Sequence, residues 1–228
     1  MAIVLDDTSS SFNNYTDTLS WSHTCAGSDR ILIVAPVLLG DAPPTHDIVS
    51  ITYNGVALTK VDDQDSTGVH VEMWYLVAPA TGAHNIVITH DGTFTTSWCL
   101  GIAKSFTGVD QTSPIVTSGK ASDTGNAVTV SLTSTDATDM LLSLAGKYSV
   151  GDNVVDGASQ TETLHDTVDA GWGLEAGFGY KQSSGGGSQA LNWTWTDSND
   201  GAEIAVALKA AVSSTTPNPA FARRRLLV

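Results

Sequence analysis

The feature that most constrains this chain is its rhythm. Short runs rich in Val, Ile, Thr and aromatic residues recur roughly every 10 to 18 residues, and Gly, Asp, Asn and Ser fill the gaps. No stretch places apolar residues at helical spacing. Leu19, Trp21 and His23 alternate with small polar residues, as a half-buried strand requires. Ile31–Leu39 reads as a strand buried on both faces, with Pro36 at a bulge or an edge. Ile48–Tyr53 and 56–61 flank Asn54-Gly55, a strong hairpin signal because both turn positions need positive φ. Further strand signals fall at Val69–Val77, 84–90, 97–106, 115–118, 127–132, 140–145, 161–165, 173–180, 191–195 and 204–208.

About 13 short strands joined by turns predict an all-β protein. Its expected form is an antiparallel two-sheet β-sandwich of jelly-roll type. Two smaller sandwiches joined near 110–114 are the alternative. A helix-crossed parallel sheet is excluded, because no connection carries a helical period. No internal repeat of fixed period is visible. Composition agrees: Ser and Thr number 52, and of the 24 acids 20 are Asp, a turn residue, against four Glu. The predicted organisation is an N-terminal segment 1–14, polar and mobile over 8–14, a sandwich 15–211, and a linker and arm 212–228. The loop tip 183–188, with Gly185, Gly186 and Gly187, is expected to be mobile as well.

The net charge of −14 argues against nucleic acid as a partner, since phosphates would be repelled. The longest apolar run, Ile31–Leu39, is far short of the roughly 20 residues a membrane-spanning helix needs. The start has no basic, apolar leader, so synthesis in the cytoplasm without a signal peptide is expected. Cys25 and Cys99 are expected as two buried thiols, although one disulfide is open to them.

Four phrases occur together in a fixed order. They are Ile51-Thr52-Tyr53-Asn54-Gly55-Val56-Ala57-Leu58, Val71-Glu72-Met73-Trp74-Tyr75-Leu76-Val77-Ala78-Pro79, Ser105-Phe106-Thr107-Gly108-Val109-Asp110-Gln111-Thr112-Ser113-Pro114 and Ala205-Val206-Ala207-Leu208-Lys209-Ala210. In this order and spacing, over roughly 15–211, they resemble a widespread β-sandwich module of bacterial surface and secreted proteins and of tailed-phage virion proteins. The resemblance implies the fold and carries no catalytic motif, so function has to be argued from sites. A leaderless, single-module chain is closer to the phage members. The resemblance thus implies a virion component whose partners are other virion proteins and copies of itself.

Candidate chemistry is thin. Asp62, Asp63 and Asp65 precede Gly68, but an EF-hand loop counted from Asp63 meets Trp74 at its twelfth position, with Glu72 two residues early. A solvated acidic loop is the expected reading; Ca²⁺ held by Asp residues gathered in space stays open, and no cofactor is assigned. His23, His46, His70, His84, His90 and His165 are scattered and expected at sheet surfaces. His70 and Glu72 share one strand face, as do His84 and His90. No Gly-x-Ser-x-Gly elbow occurs, so no enzyme is predicted. Trp193 and Trp195 continue an apolar stripe from Leu191 and belong in a core. Trp172 and Tyr180, around a Gly-rich segment, are the candidates for an exposed glycan platform, which would serve the alternative function of a carbohydrate-binding adhesion module.

The tail is the most informative feature. After a Ser/Thr/Pro linker it carries Phe221, Arg223, Arg224, Arg225, Leu226 and Leu227. Apolar residues of this kind fill pockets or add to strands, and Arg pairs with carboxylates. An arm that docks on an acidic neighbour is expected, in a non-enzymatic structural protein of the virion that decorates the capsid or forms part of a fibre or tail.

Overall fold

The computed structural model describes residues 1–14, 16–39, 47–91, 98–133, 136–148, 155–156, 162–168, 173–196 and 199–212. Every regular element among them is a β-strand, and every strand pair is antiparallel. The first half holds β1 (Val4–Asn14), β2 (Thr18–Cys25), β3 (Ile31–Leu39), β4 (Ile48–Tyr53), β5 (Val56–Ala57), β6 (Thr59–Ser66), β7 (Val69–Val77), β8 (Gly82–His90) and β9 (Trp98–Thr107). The second half holds β10 (Ile115–Asp123), β11 (Ala127–Thr133), β12 (Met140–Tyr148), β13 (Val155–Asp156), β14 (Glu162–Val168), β15 (Leu174–Gln182), β16 (Ser188–Thr194) and β17 (Gly201–Leu208).

The strands form four sheets where two were expected. Sheet 1 has the order β2-β8-β4-β5, sheet 2 β1-β9-β3-β7-β6, sheet 3 β10-β17-β12-β15-β14 and sheet 4 β11-β16-β13. They stack in that sequence. One apolar core joins sheet 1 to the near face of sheet 2, through Leu19, Ile51, Tyr53, Ile86 and Ile88 against Leu32, Val34 and Trp74. A second joins sheets 2 and 3, through Ile33, Val71, Met73 and Ile102 against Leu142, Leu144, Phe178 and Ile204. Two smaller clusters join sheets 3 and 4, with Leu141 and Ala205 under Leu191 and Ala145 under Trp193. The inner sheets are therefore covered on both faces. That is why β3, β12 and β17 are apolar almost throughout and why β3 and β17 are buried at every position.

The two halves share one strand order. Sheets 2 and 3 become the same if the second half is numbered from β10 and β5 is passed over, and sheets 1 and 4 correspond up to β5. The inner sheets meet face to face with β6 beside β10, where the Lys120 ammonium donates to Asp62 Oδ1 at 2.7 Å and to the Asp63 carbonyl at 2.8 Å. The changeover between halves falls at 108–114, at the isolated bridge Val109–Ala210, where the sequence placed the join of its two-sandwich alternative.

Three local departures from expectation have physical causes. Residues 4–14, read as a segment outside the sandwich, form β1, because β9 supplies a ladder from Val4–Thr107 to Asn14–Trp98 that needs no apolar side chains. Pro36 lies in the central strand β3 and not at an edge; it keeps its place opposite Gly101 of β9, and the ladder to β7 lapses between Val34–Trp74 and Val37–Val71, beside the residue that has no N–H to give. The run 56–61 divides, with β5 in sheet 1 and β6 in sheet 2, and buried Leu58 marks the crossing. The Asn54-Gly55 turn forms as read, with φ of 51° and 75°. The loop tip 183–188 forms a turn in which the Gln189 side chain accepts from the Ser184 amide and donates to Ser183 Oγ.

Candidate functional site

Three alternate residues of β7, His70, Glu72 and Trp74, point toward sheet 1. The neighbouring β6 brings Asp65 opposite His70 and Lys60 opposite Trp74, with a bulge between Lys60 and Asp62 that shifts the register. Asp47 arrives from the lead-in to β4, its backbone fixed by reciprocal bonds with Asp91: the Asp47 amide donates to Asp91 Oδ1 at 2.7 Å and the Asp91 amide to the Asp47 carbonyl at 3.1 Å.

Glu72 is fully buried, and each carboxylate oxygen has named partners. Oε1 lies 2.9 Å from His70 Nε2 and accepts from the Lys60 ammonium at 3.0 Å and from the Ile48 amide at 3.4 Å. Oε2 accepts from Trp74 Nε1 at 2.5 Å. His70 Nδ1 meets Asp65 Oδ1 at 2.6 Å, and its Nε2 lies 3.9 Å from Asp47 Oδ1. Burial alone would lower the His70 pKa, but hydrogen bonds and charge from Glu72 and Asp65 outweigh it and hold it above the ordinary value. Lys60 behaves alike: burial opposes its charge, and Glu72 and Asp63 raise it. Lys60 also sits 5.7 Å from the Trp74 ring centroid.

Asp62, Asp63 and Asp65 thus belong to a paired strand and not to a solvated loop. Of the described histidines, His23, His70 and His90 are buried rather than at a sheet surface, because they occupy inward positions of covered sheets; His23 Nδ1 bonds Ser9 Oγ at 2.7 Å. His84 is half-buried, edge-on to Tyr53. His46 lies outside the described residues, as does the side chain of His165.

The second half buries a different polar set. The Ser143 hydroxyl donates to Glu203 Oε1 at 2.5 Å and accepts from Trp193 Nε1 at 2.8 Å. Burial pushes the Glu203 carboxyl up to about 8, against the opposing bonds from Ser143 and the Val130 backbone. Lys147 and Glu175, both buried, lie 3.6 Å apart. Between the inner sheets the Lys104 ammonium stands 5.6 Å from the ring centroids of both Phe178 and Tyr180.

Trp193 and Trp195 are core residues, as read. Tyr180 is half-buried and packs edge-on against Phe106 at 5.7 Å between ring centroids, so it is not an open platform; Trp172 lies outside the described residues. So do Phe221, Arg223, Arg224, Arg225, Leu226 and Leu227. Cys25 and Cys99 are free, buried thiols. The first described residue meets one of the last: the Met1 ammonium donates to the Ala211 carbonyl at 2.7 Å. Beside them lies an open groove of about 330 Å³ lined in part by Val116, Asp136, Asp139 and Val212.

Sequence reasoning identified the shared face of His70 and Glu72 and the nearby aspartates. It missed Asp47, which comes from another sheet, and Lys60, whose place depends on the β6 bulge. No known protein family matches the chain, and comparison with curated proteins and with solved structures returns no match.

Proposed function

We propose that this chain is a non-enzymatic structural protein of a tailed-phage virion, held to other virion proteins and to copies of itself by its sandwich body and its C-terminal arm. The observation that carries the reading is the place where the tail leaves the body. Val212, the last described residue, lines a groove that holds Asp136 and Asp139 together with Lys209 and Met1, at the edge of a body that is acidic as a whole. With the chain at −14 overall, the residues before the tail carry −17 and the tail +3. An arm with three Arg and a Phe, rooted beside carboxylates on an acidic body, is suited to bridging to a neighbour of the same kind. Two stacked sandwiches sharing a core supply a stiff body for such a role. The jelly-roll description belongs to this proposal too, each half passing its chain back and forth between two sheets except at β4–β5, β6–β7 and β14–β15, which stay in one sheet.

The test is light scattering after size-exclusion chromatography, on the intact chain and on a chain ending at Ala211, with binding of both to virions. The intact chain should assemble or bind and the shortened one should not. Two monomers, neither binding virions, would refute the reading. A carbohydrate-binding role is the second reading from the sequence, and Tyr180, the one of its two aromatics among the described residues, is half-buried. A glycan array on the intact chain tests it directly.

A further inference from the structure

We infer that His70, Glu72 and Asp47 form a binding site for a first-row divalent transition-metal ion, with Asp65 orienting the histidine. One ligand atom from each of His70, Glu72 and Asp47 lies within 4.8 Å of those of the other two. A tetrahedral ion bound at about 2.0–2.1 Å sets its ligands about 3.3 Å apart. The Nε2–Oε1 separation is 2.9 Å and the Nε2–Oδ1 separation 3.9 Å, on either side of that spacing, so an ion fits with side-chain shifts of about half an ångström. Those shifts fall on Asp47, whose side chain is 74% exposed while its backbone is pinned to Asp91.

The supporting groups are those a metal site requires. Metal-bound histidines present one ring nitrogen and give the other to a carboxylate or carbonyl, which fixes ring orientation. Asp65 at 2.6 Å from Nδ1 does this for His70. Trp74 holds Glu72 Oε2 and so turns Oε1 toward the ligand point. Charge also permits the ion. Lys60 already offers one positive charge to Glu72, yet Asp47, Asp63, Asp65 and Glu72 outnumber it, so a dication beside a neutral imidazole leaves the group net negative.

One imidazole and two carboxylates select the class. Ca²⁺ takes oxygen ligands only, six to eight of them, whereas mixed nitrogen and oxygen donors suit Zn²⁺ and its neighbours. The exposed Asp47 leaves a path for entry and room for water ligands. Asp47 leads into sheet 1, while His70 and Glu72 stand on sheet 2, so the ion would staple the outer sheet to the inner one.

The test uses untagged full-length protein treated with EDTA and desalted, titrated calorimetrically with ZnCl₂ and separately with CaCl₂. One Zn²⁺ per chain is expected, with a raised unfolding midpoint, and no response to Ca²⁺ at equal concentration. Asp47→Asn should weaken Zn²⁺ binding at least about tenfold and Asp65→Asn by about 10–100-fold, the range for loss of a supporting carboxylate. No saturable Zn²⁺ binding, binding unchanged in Asp47→Asn, or Ca²⁺ bound as tightly would each overturn the assignment. If Asp65→Asn folds poorly, Asp47→Asn decides, because its side chain is exposed and the fold does not lean on it.

Discussion

Replacing Glu203 with Gln should make the protein more stable, and increasingly so as the pH rises. Glu203 is fully buried between sheets 3 and 4, and its carboxyl titrates near 8 instead of the ordinary 4.5. The cause is burial, which penalises the ionised form. The folded chain therefore keeps this proton where the unfolded chain has released it. Stability associated with it is fully present below about pH 4.5 and is lost as the pH climbs through 8. At about 1.4 kcal/mol per pH unit over this window, the loss is on the order of 5 kcal/mol. Glutamine keeps an oxygen for the Ser143 hydroxyl and has no proton to lose. The variant should match the wild type near pH 4.5 and exceed it by about 5 kcal/mol above pH 8, roughly 10–20 °C in unfolding midpoint for a chain of this size. Thermal unfolding followed by tryptophan fluorescence, at several pH values from 4.5 to 9, measures the difference. If the two midpoints keep a constant separation across that range, Glu203 is not the buried neutral acid described.

Two glycines should respond oppositely to their surroundings. A Cβ on Gly177 would lie 2.2 Å from Trp193 Cζ3 inside a closed layer, so Gly177→Ala should cost about 3 kcal/mol in urea unfolding, the upper end for an overpacked core. Gly55 has open space around it but a φ of 75°, so Gly55→Ala should cost only about 1–2 kcal/mol, from backbone strain alone. Burial raises the pKa of both thiols, so Cys25 and Cys99 should resist a thiol reagent in the native protein and both react in guanidinium.

The all-β class was legible because turn residues punctuate strand-length runs. The number of layers was not, although its signature was present. Ile31–Leu39 reads as buried on both faces, and β12 and β17 are similarly apolar. In a two-sheet sandwich every strand keeps a wet face, so fully buried strands in both halves require outer sheets on each side. The shared strand order escaped because equivalent layers are filled differently: β7 buries Glu72 and Trp74, while β15 has Gly177, which makes room for Trp193 from sheet 4. β1 escaped because Ser9, Ser10 and Ser11 show no alternation, and its place comes from the β9 ladder. Within the candidate site, the His70–Glu72 pair follows from strand periodicity, whereas Asp47 reaches it only through sheet stacking.

The meeting of Met1 with Ala211 makes the described chain almost a closed ring. Anything fused ahead of Met1 would emerge beside Ala211 and Val212. The strand ends beside Asp47 and His70 lie at the opposite pole. A label carried at Met1 would therefore leave that pole clear.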